Sequence, residues 1–109
     1  MDAIKEMGRA IQEVYIDDAV IRYIRDIVIA SRAHGDVRLG TSTRGSLALL
    51  RGAQARAAID GRTYVIPDDV KTMARPVLGH RLVLEREAEI GRVSVDQVIG
   101  DLLGTVEVA

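Results

Sequence analysis

The amino-acid sequence predicts an all-α domain: a small bundle of four main helices with a lead-in helix and at most a minor short β element. Three observations favour this fold class. Apolar residues recur at the three- and four-residue spacing of helices along most of the chain. Helix-start signals precede these stripes, and strand-like runs are few and short. At 109 residues, the chain is long enough for one hydrophobic core and too short for two.

Composition excludes several functional classes. The chain has no cysteine and only two histidines, far apart, so it has no thiol chemistry and we expect no metal site. The formal net charge of −1 gives no overall basic field for nucleic acid. No apolar run approaches the roughly 20 residues that span a bilayer, and the N-terminus lacks a signal-peptide core. We therefore expect a cytoplasmic protein without membrane insertion.

The first part of the chain is predicted to hold a lead-in helix and one main helix. Residues 2–13 carry apolar residues at helical spacing, so we assign 1–13 to a lead-in helix or linker and 14–109 to the domain. Asp17 is an N-cap candidate, and the pattern predicts a helix over 18–33. Its buried stripe is expected to comprise Val20, Tyr23, Ile24, Ile27 and Val28.

A second main helix is predicted from Thr43 or Arg44 to about Ile59, with Gly61 just beyond its end. Its many alanines would let a neighbouring helix approach closely. The residues expected to face inward are Leu47, Leu50, Ala53, Ala57 and Ala58.

Two further main helices are predicted in the second half. One opens at Pro67, with Asp68 and Asp69 in its first turn, and should end or kink near Arg75 because Pro76 follows. A short helical piece over 78–80 would come next. The last helix opens with a capping box of Ser94 and Gln97 and closes at Gly104. It should bury Val98, Ile99, Leu102 and Leu103.

Short extended segments are predicted between the helices. Residues 14–16 and 64–66 are apolar and brief, and 81–84 could form a strand that pairs with either of them. The charged run at 85–93 contains a glycine and is interpreted as an exposed connection.

No catalytic constellation is evident in the sequence. There is no phosphate-binding loop and no zinc pattern, which excludes a self-sufficient ATPase. The aspartate pairs at 17–18 and 68–69 stand at helix starts, where capping is a better interpretation than magnesium binding. His34 is expected to interact with the C-terminal carbonyls of the preceding helix, and His80 is also expected to be structural.

The stretch RLGTSTRGSLALL at 38–50 is the candidate binding feature. Ser42 or Thr43 can cap the helix, but Arg44 stands in the first turn, where the helix dipole disfavours a cation by up to about 1 kcal/mol. A guanidinium beside exposed N–H groups suits phosphate oxygens. Taken alone, these residues leave two interpretations open: an ordinary helix cap or an anion site.

A series of motifs resembles the C-terminal lid of MoxR-type AAA+ ATPases over about residues 14–103. The motifs are VYIDD at 14–18, SRAH at 31–34, DVRLG at 36–40, STRGSL at 42–47, AAIDGR at 57–62, YVIPDDV at 64–70 and PVLGHRL at 76–82. The resemblance implies that Arg44 is the second sensor arginine, which reaches the γ-phosphate of ATP held by a preceding nucleotide-binding domain. Thr43 and Leu47 would be nucleotide-binding neighbours.

The resemblance also implies a wider context. The chain would be a fragment that is inert alone, and the lead-in helix would connect it to an N-terminal AAA+ core. ATP and magnesium would bind the intact protein and not the fragment. The intact protein would be a chaperone-like, ring-forming homo-oligomer, with partners that include von Willebrand factor A domain proteins.

Two residues depart from the family pattern. Thr43 replaces a usual proline, and Ile66 stands where a capping threonine is common, leaving Asp69 or water to cover the exposed donors there. The 13 arginines against 2 lysines keep a helical nucleic-acid-binding module as an alternative. A helical dimerisation module without a ligand is a third interpretation.

Overall fold

The computed structural model describes residues 13–40 and 42–107. The predicted lead-in helix over 2–13 therefore lies outside the described residues, apart from Glu13. Five helices and a two-stranded sheet form the described part, which confirms the predicted mostly helical bundle with a minor β element. In chain order they are α1 (Asp18–Ala33), β1 (Val37–Leu39), α2 (Thr43–Ile59), α3 (Pro67–Leu78), β2 (Val83–Leu84), α4 (Arg86–Ile90) and α5 (Val95–Thr105).

Helix α1 has the predicted bounds and the predicted buried face. All five residues of its apolar stripe are buried, and Ile27 is completely inaccessible. Asp17 is the N-cap residue, but its side chain makes no capping hydrogen bond, and its carbonyl oxygen accepts from the N–H of Val20 at 3.0 Å. The stripe at helical spacing therefore defines this helix better than its cap does.

Helix α2 has the predicted bounds, but part of its predicted buried face was wrong. Leu47 is 54% exposed, whereas Leu49 is completely buried together with Ala53 and Ala57. These three residues are four positions apart, so they share one face, while Leu47 lies about 200° around the helix from Leu49. Leu50 and Ala58, which were also expected inside, are partly buried.

The close helix packing expected from the small residues is present between α2 and α3. At Gly52, an added Cβ would lie 3.2 Å from the terminal methyl carbon of Met73. The two helices therefore approach closely at this position, and they form the most extensive helix pair of the domain. This packing selects which of the several apolar faces of α2 turns inward.

Helix α3 begins at Pro67 as predicted, but Pro76 does not end it. The helix continues to Leu78, and the carbonyl oxygen of Arg75 still accepts from the N–H of Gly79 at 2.9 Å. Pro76 lacks an N–H donor, and its ring crowds the carbonyl of the preceding turn, but completely buried Ala74 and Leu78 hold the last turn in the core. The predicted end near Arg75 was therefore wrong, while the alternative of a kink at Pro76 stays a prediction.

The start of α3 is capped by Asp69, as expected from the absence of a capping hydroxyl at Ile66. The Asp69 carboxylate accepts from the N–H of Ile66 at 2.9 Å and from both terminal nitrogens of Arg62 at 2.6 and 2.7 Å. Burial acts to raise the pKa of Asp69, but the hydrogen bonds from Arg62 and Ile66 outweigh it, so this pKa lies below its usual value.

The strand predicted within 81–84 forms, but its predicted partner was wrong. Val83–Leu84 pairs antiparallel with Val37–Leu39, in a register that sets Val37 opposite Leu84 and Leu39 opposite Val83. The segments at 14–16 and 64–66 meet each other instead, through an isolated parallel bridge between Tyr15 and Tyr64.

The C-terminal region contains one helix more than the sequence predicted. Arg86–Ile90, within the expected connection, forms the short helix α4, because Ala88 is buried on its inner side. The Ser94 and Gln97 capping box is confirmed, with reciprocal hydrogen bonds of 3.1 and 2.8 Å. Helix α5 continues through Gly104 to Thr105, so the glycine does not end it.

Candidate functional site

Arg44 lies in the first turn of α2, as the sequence predicted, and its side chain is exposed. The N-cap residue is Ser42 in extended conformation, but its side chain makes no capping hydrogen bond. The expected hydroxyl cap is therefore not formed by Ser42, which leaves the first-turn N–H groups without that acceptor. Arg44 therefore lies in the turn that carries the positive end of the helix dipole.

The loop before α2 is fixed by a close approach to α1. A Cβ at Gly40 would lie 2.7 Å from Cγ, 2.8 Å from Cα and 2.9 Å from the backbone nitrogen of Arg32. Only glycine allows this approach, because any side chain at position 40 would overlap the last turn of α1. Gly40 thus sets where the chain leaves β1 and where α2 begins.

A cavity of about 420 Å³ opens at the start of α2 and is lined by Gly40, Ser42, Arg44 and Arg81. We call it the two-arginine cavity. Within the described ranges, neither arginine has a hydrogen bond or an ion pair, and no carboxylate lines the cavity. The cavity is therefore lined by two arginines that have no ion-pair partner there.

Thr43 and Leu47, the other predicted nucleotide-binding residues, lie in a different depression. A groove of about 440 Å³ between α1 and α2 is lined by both of them and is predominantly apolar. Ile21 and Ile29 of α1, 43% and 52% exposed, contribute to it. The structure therefore separates Leu47 from Arg44 and brings Arg44 together with Arg81. The PVLGHRL run was the sequence signal that contained Arg81, but nothing in it indicated which residue Arg81 would meet.

The remaining predicted candidates have structural environments. Asp69 binds Arg62 and the start of α3, as described above, and among residues 13–40 and 42–107 no cluster of three metal-ligating side chains exists. His34 does not interact with carbonyls of α1, so that prediction was wrong. Its Nδ1 accepts from the N–H of Asp36 at 3.1 Å, and its Nε2 lies 3.4 Å from a carboxylate oxygen of Asp101. His34 is the C-cap residue of α1, and its backbone is extended.

His80 is exposed in the turn after α3, next to Arg81. No helix in the described part of the chain has the length and apolar character that a membrane crossing requires.

Among the described residues, the hydroxyl of Tyr23 is the one inaccessible side-chain polar atom that lacks a hydrogen-bond partner. Burial is the larger cause that raises the pKa of Tyr23, and the nearby charge of Asp68 is the smaller one.

Comparison with known protein families matches residues 29–102 to the AAA lid domain. Among curated proteins, the uncharacterized protein YeaC of Bacillus subtilis is 40% identical over 102 residues, covering 94% of this chain and 32% of YeaC. Chaperone MoxR1 of Mycobacterium tuberculosis is 36% identical over 101 residues, covering 84% of this chain and 27% of that protein. Protein MoxR of Methylorubrum extorquens is 36% identical over 70 residues, covering 64% of this chain and 20% of that protein.

A solved structure is also similar to this chain over most of its length. The crystal structure of a candidate ATPase from Cytophaga hutchinsonii matches this fold with a TM-score of 0.89 and 33% sequence identity, over 93% of this chain and 33% of that chain. The chain thus spans about a third or less of the length of the relatives it matches.

Proposed function

Because this chain belongs to the AAA lid domain family and is the C-terminal lid of a MoxR-type AAA+ ATPase, we propose that it senses bound ATP through Arg44. In this proposal, Arg44 donates hydrogen bonds to the γ-phosphate of a nucleotide held by the N-terminal AAA+ core domain. The lid thereby contributes to ATP binding and hydrolysis by the intact protein. The observation that carries the proposal is the exposed, unpaired Arg44 in the first turn of α2, within the part of the chain described.

The donor set around Arg44 fits a phosphate group. A guanidinium presents several N–H donors in a plane, and phosphate oxygens accept them in pairs. The positive end of the helix dipole also attracts the negative charge of the phosphate group. Hydrolysis also requires magnesium, which the two-arginine cavity would not hold, because none of its described lining residues is a carboxylate. We assign magnesium to the core domain.

Binding at Arg44 would couple the nucleotide to the position of the lid. A charge-assisted hydrogen bond contributes about 1.5–3 kcal/mol, which changes a two-state equilibrium by about ten- to a hundredfold. Thr43 and Leu47 would contact other parts of the nucleotide from the groove between α1 and α2. The proposal extends to a cytoplasmic, chaperone-like ring of identical subunits that acts on von Willebrand factor A domain proteins.

The test is ATP turnover by the ATPase that carries this lid. Arg44→Ala should reduce turnover at least about tenfold, because a phosphate contact is lost, while the melting temperature stays unchanged for an exposed side chain. Arg86→Ala is the matched control, since Arg86 is also exposed and lies on α4, outside the two-arginine cavity. Wild-type turnover in the Arg44→Ala protein would refute the proposal.

A further inference from the structure

We propose that Arg81 is a second phosphate-binding residue, which acts with Arg44 on one polyphosphate chain in the two-arginine cavity. This inference rests on the proposed function of Arg44 and specifies its ligand more closely. It assigns a role to the GHRL portion of the sequence, which the nucleotide-sensing role of Arg44 does not require.

The pairing of β1 with β2 explains why the two arginines meet. Leu39 lies opposite Val83 in an antiparallel register, so the chain that leaves β1 at Gly40 runs beside the chain that enters β2 from Arg81. Leu82, between Arg81 and β2, is buried and anchors that entry, and the N–H of Arg81 donates to the carbonyl oxygen of Leu78 at 2.9 Å. The position of the Arg81 backbone is therefore set from both sides.

The loop on the opposite side of the cavity is equally constrained. Gly40 lies against the backbone of Arg32, and Ser42 immediately precedes the first turn of α2. Arg44 and Arg81 consequently project from two fixed backbone segments that lie 37 positions apart in sequence and line the same cavity. The backbone positions of both arginines are therefore set before a ligand arrives, so binding has to order only the two exposed side chains.

Arg44 and Arg81 lack an ion-pair partner among the described residues, as do Arg22, Arg38, Arg86 and Arg92, but Arg44 and Arg81 also line one cavity together, without a described carboxylate. Arg25, Arg56, Arg62 and Arg75 each lie within ion-pair distance of an aspartate. Two like charges in one cavity repel each other, and a multiply charged anion between them relieves that repulsion. A polyphosphate chain, with charges on adjacent groups, fits two donors better than a single phosphate does.

The experiment uses the 109-residue chain and inorganic tripolyphosphate as the probe, at low ionic strength because salt screens exposed charges. Amide chemical shifts are followed by NMR during titration. We expect saturable millimolar binding that shifts the amides of residues 42–46 and 81–83 and is tighter than binding of orthophosphate. Arg44→Gln and Arg81→Gln should each weaken tripolyphosphate binding by about three- to tenfold, while Arg86→Gln should leave it unchanged.

The outcomes separate this inference from the proposed function. Weaker binding in both variants, with unchanged melting temperatures, supports a shared ligand. Weaker binding in Arg44→Gln alone would overturn the role of Arg81 and leave the Arg44 proposal standing. The absence of any binding up to about 10 mM tripolyphosphate at low salt would overturn the inference as well, because two neighbouring arginines without ion-pair partners must attract a polyanion under these conditions. The Arg44 proposal itself is decided separately, by ATP turnover in the longer protein.

Discussion

Gly40→Ala offers the sharpest test of how the sequence positions the start of α2. The added Cβ would lie 2.7–2.9 Å from Cγ, Cα and N of Arg32, about half an ångström or more inside ordinary contact distance. The Arg32 side chain could move its Cγ, but Cα and N belong to the last turn of α1 and cannot move without displacing the helix. The strain must therefore be relieved by separating β1 and the start of α2 from α1.

The expected cost can be estimated from overpacking in folded cores, where an inserted methyl group destabilises by about 1–3 kcal/mol. In a domain of this size each kcal/mol lowers the melting temperature by about 4–8 °C. We therefore expect Gly40→Ala to melt at least about 5 °C below the matched control. The assay is thermal unfolding followed by circular dichroism.

The matched control is Gly35→Ala. An added Cβ at Gly35 meets no atom within 4 Å, and Gly35 has no positive φ. Both substitutions reduce the conformational entropy of the unfolded chain by a similar amount. This effect on stability therefore cancels when the melting temperatures of the two variants are compared. Equal melting temperatures for the two variants would refute the argument that the approach of Gly40 to Arg32 fixes the start of α2.

Three further predictions concern the core and the alternative function. The lowered pKa of Asp69 means that its ion pair stabilises the fold above about pH 4 and is lost as the pH falls further. Asp69→Asn should therefore lower the melting temperature at pH 7, and its difference from wild type should shrink at pH 3; a constant difference would contradict this. Tyr23→Phe should leave the free energy of unfolding unchanged or raise it by about 1 kcal/mol, because the buried hydroxyl has no partner within the described part of the chain; chemical denaturation measures this, and a clear loss would reveal an unrecognised partner. A gel-shift titration with random duplex DNA should show no complex at physiological salt, whereas a salt-dependent shift would favour the nucleic-acid-binding alternative.

The parts of the fold that the sequence predicts well are those decided by neighbouring residues. The stripe of α1 and the capping box of Ser94 each involve residues three or four positions apart, and both are as expected. The remaining features of the fold depend on contacts between segments that are distant in sequence. Leu47 and Leu49 are equally apolar, and only the packing of α2 on α3 determines that Leu49 is the buried one. Likewise, burial of Leu78 keeps α3 helical beyond Pro76 against the local preference.

The candidate site was also predicted only where neighbouring residues determine it. The position of Arg44 in the first turn of a helix follows from a local signal, the loop GTST before an apolar run. Its neighbour Arg81 could not be predicted, because the sequence assigned β2 to the wrong partner strand. The actual pairing of Val83 with Leu39 brings Arg81 to the cavity, and strand pairing between residues over 40 positions apart carries no local sequence signal.

The packing of α2 also determines how a phosphate contact at Arg44 can act. Leu49, Ala53 and Ala57 are completely buried against the core, so α2 cannot shift alone without opening cavities. A force applied at Arg44 is therefore carried by the whole bundle, and the lid should move as a rigid body relative to the nucleotide-binding domain. In the isolated chain, tripolyphosphate should therefore perturb amides around the two-arginine cavity and leave those around Ala53 and Ala57 unchanged. Perturbation that spreads through the buried face of α2 would mean that the helix itself moves, and rigid-body coupling would then be wrong.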